Sequence, residues 1–527
     1  MRIYVCWVFL LLFTGCQTTQ PLGQATASEP ERSQRPEHTE KVAATLSTSI
    51  QTAAAKQKEQ VKTPTPQEQT DLWQRISMQF RLTVPNEKSV NRYRSWYLRH
   101  PGHLEIVAQR ATPFLYLITE KIEQRHLPLE LALLPVVESS FDAFAYSYGR
   151  AAGLWQFVPS TGKLYGLKQN FWYDGRRDVD AATDAALDYL TYLNKKFDGN
   201  WYHAIAAYNS GSGRVSSAIR KNKRKGLPTD FFSLDLPKET SSYVPKLLAL
   251  ADVIAHQQQY GIELPPIDNQ PVLARVNPQK QLDLALAAKY ANISVRELQS
   301  YNPAFNQWAT SPNGPYQLLI PVNKVEIFEQ SVEDDDGQGV KLVRYQVKSG
   351  DVLGKIAKKY NTTMKVIQTV NNLDGMLIRA GQYLMIPTSV KDEKAYTLSM
   401  RNRLAKIQSR VRGQYKMTHQ VSSGESLWSI AQDYHVSHTS LAKWNGMSPR
   451  DPLRVGRKLV VWKDASDGAI IRTLLYKVRS GDTLSGIASK FRLKTSDIVK
   501  WNSLLKGEYL QPGQQLKLYV DVTKVSV

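Results

Sequence analysis

Apolar residues recur at helical spacing through three stretches of this 527-residue chain. Leu127 to Glu138 places Leu131, Leu134 and Glu138 on one face, with Pro128 suited to a first helical turn. A carboxylate therefore stands at the end of an apolar stripe. Pro135 in the same run predicts a kink or an early stop, because proline removes a backbone donor. Asp180 to Phe197 predicts a second helix, with Ala182, Ala186, Tyr189, Leu193 and Phe197 as its stripe and Asp180 as its cap. Trp201 to Tyr208 predicts a third, ended by Gly211 and Gly213. Strand signals are scarce before residue 262, so residues 72–262 read as one mainly helical domain. Residues 16–71 contain no aromatic side chain and are rich in Gln, Thr, Ala, Glu and Pro. That composition predicts a disordered tether, with a loose helix over 43–62 as the alternative.

The second half repeats a phrase. Val347-Lys348-Ser349-Gly350-Asp351, Val421-Ser422-Ser423-Gly424-Glu425 and Val478-Arg479-Ser480-Gly481-Asp482 each lead to a Leu and an Ile-Ala pair. An Asn lies 21 residues beyond each Gly (Asn371, Asn445, Asn502), and a second Gly (Gly381, Gly456, Gly513) precedes a closing apolar run. Each unit predicts strand, helix, helix, strand. The phrase resembles the LysM module, which binds N-acetylglucosamine-containing glycans such as peptidoglycan. The copies span 343–388, 417–462 and 474–519. A degenerate LysM-like copy over 263–325 keeps Leu286 to Tyr290, Tyr301-Asn302-Pro303 and Leu319-Ile320-Pro321 but lacks the opening phrase. The acidic stretch Glu333 to Gly339 and the charged segment 389–416 read as linkers, the second with helical character.

Net charge is +21, so an anionic partner is expected. No nucleic-acid signature occurs, and nucleic acid is not an expected partner. Arg2 precedes an apolar run, Ile3 to Phe13, too short to span a bilayer. Residues 1–15 therefore read as a signal peptide. Phe13-Thr14-Gly15-Cys16 resembles a bacterial lipobox, although Phe13 stands where that pattern prefers Leu. The resemblance implies cleavage before Cys16 and its lipidation. The alternative is an ordinary signal peptide with a chance cysteine. Cys6 and Cys16 are the only two cysteines, so the mature chain could form no internal disulfide. Acylation would also remove a thiol that is a liability in an oxidising compartment. By analogy, Gln17 after the cysteine favours the outer membrane, facing the periplasm.

Three motifs carry the chemistry: Glu138-Ser139-Ser140-Phe141, Gly153-Leu154-Trp155-Gln156 and Ala207-Tyr208-Asn209-Ser210-Gly211. One acid with aromatic and amide neighbours suits cleavage of a sugar polymer. The motifs resemble the lytic transglycosylase branch of the goose-type lysozyme superfamily, and within it the membrane-bound murein transglycosylase D group, which pairs this domain with C-terminal LysM repeats. The fold implied is a mainly α, lysozyme-like catalytic domain followed by small α+β (βααβ) LysM modules. The activity implied is non-hydrolytic cleavage of the bond from N-acetylmuramic acid to N-acetylglucosamine in peptidoglycan glycan strands, leaving 1,6-anhydromuramoyl ends. Glu138 would be general acid and then base. The resemblance gives Ser139 the role of orienting that carboxylate, with a helix-end cap as the alternative. It places Ser147, Gln156, Tyr208, Asn209, Glu239 and Tyr243 around the substrate. Gln156 reads alternatively as a turn amide, and Glu239 and Tyr243 as a helix start.

Trp155 suits a cleft wall or the core equally. Asp142, four residues past Glu138, reads as a cap or ion-pair partner; as a second carboxylate it would permit hydrolysis. Trp172, Tyr173 and Trp201 suit the core or sugar stacking. Two Ser-x-x-Lys sequences, at Ser160 and Ser440, lack the partner motifs of a serine acyl-enzyme. The histidines show no zinc spacing, and neither metal nor cofactor is expected. A hydrolytic muramidase and a non-catalytic wall-binding scaffold are the alternative functions.

Overall fold

The computed structural model describes residues 64–521 apart from 336, 338, 414, 464–470, 503 and 505–508. The signal peptide, Cys16 and most of the expected tether lie outside the described residues. Residues 64–71, assigned to the tether above, are held against the first domain. Asn269 Nδ2 donates to the carbonyls of Gln67 (3.3 Å) and Gln69 (2.8 Å), and the Ile267 carbonyl accepts from Leu72 N.

The first domain is helical throughout. Leu129–Leu133 forms a 3-10 turn, and helix α1 covers only Leu134–Ser139. The continuous helix expected from Leu127 is therefore split before the proline. Pro135 has no N–H and sits in the first turn of α1, where no partner is needed. Ser140 and Phe141 then take left-handed angles (φ 49° and 58°), and the chain turns away. Helix α2 is Val179–Lys196 and is capped by Asp178, whose carboxylate accepts from Ala181 N at 2.9 Å. Asp180, expected as the cap, stands in the first turn and pairs with Lys121 at 2.8 Å. Helix α3 is Trp201–Ser210 and ends on Gly211 (φ 87°). Gly213, expected as part of that stop, lies inside the next helix, Ser212–Arg224. Helix α4, Lys238–Ala255, runs through the centre and buries Val244, Leu247, Leu248 and Leu250. These four helices converge on one core that also holds Leu131, Trp155 and Ile205.

Among the described residues, four two-stranded antiparallel sheets follow. They are β1 (Leu273–Val276) with β2 (Leu318–Pro321), β3 (Lys341–Gln346) with β4 (Tyr383–Thr388), β5 (Tyr415–Gln420) with β6 (Lys458–Lys463), and β7 (Ile471–Lys477) with β8 (Gln515–Asp521). Two short helices stand between the strands of each pair, which gives the expected βααβ order. The repeated residues have structural work. Asp351, Glu425 and Asp482 each accept the backbone N–H three residues earlier and close the turn out of the first strand. Each Asn clamps the second helix to the last strand. Asn445 donates to Leu441 O (2.8 Å) and Val460 O (2.7 Å) and accepts from Val460 N (2.7 Å). Asn371 and Asn502 repeat this pattern. So does Asn302 in the degenerate copy, through Leu319. Asn445 is fully buried, so Asn445→Ala should leave backbone groups unpaired. Its expected cost is about 2–4 kcal/mol in local stability of the second module, read by hydrogen exchange of the β5 and β6 amides.

Segment 389–416 is more than a charged spacer. Tyr396 is buried, and its hydroxyl donates to Asp283 of the degenerate copy at 2.9 Å. Helix α5, Met400–Ser409, follows. Among the described residues no helix is long and apolar enough to cross a membrane.

Candidate active site

Glu138 stands near the C-terminal end of α1, at the edge of the core that buries Leu131 and Leu134. Burial dominates its electrostatics and pushes the carboxyl up to about 7 from an ordinary 4.5. Three groups of α4 modulate this. The Tyr243 hydroxyl donates to Glu138 Oε1 at 2.6 Å and stabilises the charged form. The negative charge of Glu239 raises the value, and the positive charge of Lys246 lowers it. Residues 239, 243 and 246 fall on one helical face. Lys246 was not singled out in the sequence, although that spacing was there to be read.

The wall around the acid comes from α3 and the Gly153–Gln156 turn. Burial holds the Tyr208 phenol well above the usual range, and the nearby Glu138 charge adds to this. Its hydroxyl donates to Trp155 O at 2.8 Å, and its ring packs on Phe157 and Tyr189. Asn209 accepts from Thr240 Oγ1 at 2.8 Å, with its amide 3.5 Å from Glu239. Tyr208, Tyr243 and Glu138 are thus brought together, with Asn209 and Glu239 beside them.

The remaining candidates are placed differently. The Ser139 hydroxyl donates to the carbonyls of Pro135 (2.9 Å) and Leu154 (3.1 Å), so it ties the helix end to the Gly153–Gln156 turn and makes no hydrogen bond to the Glu138 carboxylate. Gln156 spends its amide on Gly153 O at 2.7 Å and holds the turn. Gly153 has φ 79°, and a Cβ there would lie 2.0 Å from Arg176 O, so only glycine fits. Ser147 accepts from Ala151 N at 3.0 Å within the loop that follows the acid. Trp155 is fully buried and donates to Thr183 Oγ1 at 3.0 Å, which assigns it to the core. Trp172 and Tyr173 are also core residues. Trp201 packs on the edge of the first core, and Trp428 stays 62% exposed.

Asp142 does not face Glu138. The reversal at Ser140 and Phe141 breaks the helical register between them. Asp142 accepts from Phe144 N at 2.9 Å, and its charge acts on Arg177 and Arg403. The site therefore offers one carboxyl poised near neutrality, one phenol bonded to it, and no second carboxylate bonded opposite. Among the described residues no cluster of His, Cys, Asp and Glu could hold a metal ion.

Comparison with known proteins matches several stretches of the chain to family models. Residues 116–230 match the transglycosylase SLT domain. Residues 272–336 match the LysM-like domain of lytic transglycosylase MltD, and 345–387, 419–462 and 476–518 match the LysM domain. Membrane-bound lytic murein transglycosylase D of Escherichia coli K12 is 38% identical over 403 residues, covering 74% of this chain and 85% of that protein. A putative tributyltin chloride resistance protein of Alteromonas is 44% identical over 165 residues, covering 31% of this chain and 78% of that protein. An autolysin of Enterococcus faecalis is 32% identical over 184 residues, covering 33% of this chain and 24% of that protein.

Proposed function

We propose that Glu138 is the single acid and base of this chain, which belongs to the membrane-bound lytic murein transglycosylase D family. The enzyme is a lytic transglycosylase of peptidoglycan, and its LysM modules hold the glycan. Protonated Glu138 gives its proton to the glycosidic oxygen as the bond from the muramoyl anomeric carbon breaks. The resulting carboxylate takes the proton of the muramoyl 6-hydroxyl, whose oxygen bonds to the anomeric carbon. A 1,6-anhydro ring and a free N-acetylglucosamine 4-hydroxyl result, and no water is consumed. The observation that carries this reading is one carboxyl at the edge of the core, bonded to the Tyr243 hydroxyl at 2.6 Å and pushed up to about 7 by burial, since one group must both lose and regain a proton near neutral pH.

Tyr243 supports the charged form between the two steps, and Tyr208 lines the site on the other side. Asn209, Glu239, Ser139, Ser147 and Gln156 shape the cleft that receives the saccharide. The three LysM modules raise the local concentration of glycan at the catalytic domain. The net charge of +21 suits the carboxylates of peptidoglycan stem peptides. Lipidation of Cys16 would hold the protein at the outer membrane, facing the periplasm.

Digestion of purified sacculi in heavy-oxygen water, followed by mass spectrometry, tests the chemistry. The expected products are anhydromuramoyl ends without heavy oxygen. Reducing muramic acid ends carrying the label would make the enzyme a hydrolase.

A further inference from the structure

The second LysM module reaches the loop that follows the catalytic acid. That loop, residues 142–152, is anchored beside Glu138, because Gly153 N donates to Ala145 O at 3.0 Å and Ser139 holds Leu154 O. Asp451, in the second module between its second helix (His438–Trp444) and strand β6, meets the loop from outside. Its carboxylate pairs with Arg150 Nε at 2.9 Å and accepts from the Tyr146 hydroxyl at 3.0 Å. Ser448 bonds to Tyr148 O, and the Arg450 guanidinium stands 5.5 Å from the Tyr148 ring centre.

Two further observations show that the module is seated there. Gly446 (φ 56°) lies flat on α5, where a Cβ would come 3.0 Å from Ile407 Cδ1, and Gln408 donates to Asn445 Oδ1 at 2.8 Å. Arg403, also on α5, places its guanidinium 4.6 Å from the Phe144 ring centre of the same loop. Arg150 itself has φ 69°, a left-handed angle that is unfavourable for an arginine and needs support from its surroundings. The Arg176 guanidinium holds its carbonyl at 2.7 Å, and the Asp451 carboxylate lies 2.9 Å from Nε as an ion pair without a hydrogen bond at that nitrogen.

We propose that Asp451 is a positioning residue for the transglycosylase reaction. It acts through Arg150 and Tyr146 to hold the loop carrying Ser147, so the second LysM module completes the catalytic domain as well as binding glycan. This rests on the assignment of Glu138 as the catalytic acid. The test uses the full chain with Asp451→Asn, Asp451→Glu, Arg150→Gln and the Asp451→Asn/Arg150→Gln double. Turnover of soluble, uncrosslinked glycan strands and co-sedimentation with sacculi are both measured. Each uncharged single variant is expected to lower kcat about 3- to 10-fold with KM and sedimentation unchanged. The double should be no worse than the worse single, because both remove one interaction, and Asp451→Glu should recover most of the rate. Unchanged kcat in both single variants would overturn the proposal. So would losses that multiply in the double, or a fall in sedimentation, which would assign Asp451 to its bond with Ser448 N inside the module. Inactivity of the unmodified chain would instead refute the function proposed above.

Discussion

Replacing Glu138 by glutamine is expected to lower sacculus digestion by about 10²- to 10⁴-fold, the range for removal of a positioned general acid–base. The amide keeps the volume of the carboxyl and still accepts from Tyr243, so the fold should survive. It has no acidic proton for the leaving oxygen and no basic oxygen for the 6-hydroxyl. Stability provides an independent check on the same residue. A carboxyl raised to about 7 when folded resists ionisation there but ionises near its ordinary 4.5 when unfolded. Below pH 4.5 both states are protonated and the residue costs nothing. As pH climbs from 4.5 to 7 the folded state loses stability, and the loss persists above that window, at most about 3 kcal/mol. Glutamine carries no such cost. Glu138→Gln should therefore match the unmodified chain near pH 4.5 and melt at a higher temperature at pH 8. Normal digestion by the variant, or a melting difference that shrinks with rising pH, would remove Glu138 from the centre of the mechanism.

What could be read in the sequence was local. Leu134 and Glu138 share a face of α1 by helical geometry alone, although Leu131 falls in the 3-10 turn before it, and the Asn and Asp positions of the LysM units recur at fixed spacing because each closes the same short-range clamp. Errors of a residue or two arose where neighbours compete for one job. Asp178 and Asp180 both suit a cap, and only the tertiary pairing of Asp180 with Lys121 decides between them. Pro135 announced a break but not its side, since its ring is tolerated in the first turn. Trp155 had two equal readings until Thr183, on α2, supplied a partner for its indole. Contacts across long separations were not legible from periodicity, and Tyr243 and Glu239 reached the site only through the family resemblance. Tyr243 lies 105 residues from Glu138, and Asp451 lies about three times as far away. No periodicity records which side chain meets a carboxylate at such a distance.

The three groups of α4 give a set of signed predictions. In the free enzyme the acid must be protonated, so kcat/KM on soluble glycan strands should fall on the alkaline side with a midpoint near pH 7. Tyr243→Phe removes the 2.6 Å bond that stabilises the carboxylate. A hydrogen bond to a charged group contributes about 1.5–3 kcal/mol, so the alkaline midpoint should move up by about one to two pH units. The maximal rate should fall about tenfold, because the base of the second step loses its orientation. Glu239→Gln removes a like charge and should move the midpoint down. That shift should be smaller, because Glu239 is solvent-exposed and screened. Lys246→Met removes an opposite charge and should move it up. Ionic strength separates the causes. Half-molar salt should suppress most of the Glu239 effect and leave the Tyr243 effect almost intact, since a direct hydrogen bond is not screened by mobile ions. A Tyr243→Phe midpoint that stays in place or moves down would show that burial alone, without the phenol, sets the proton affinity of the catalytic acid.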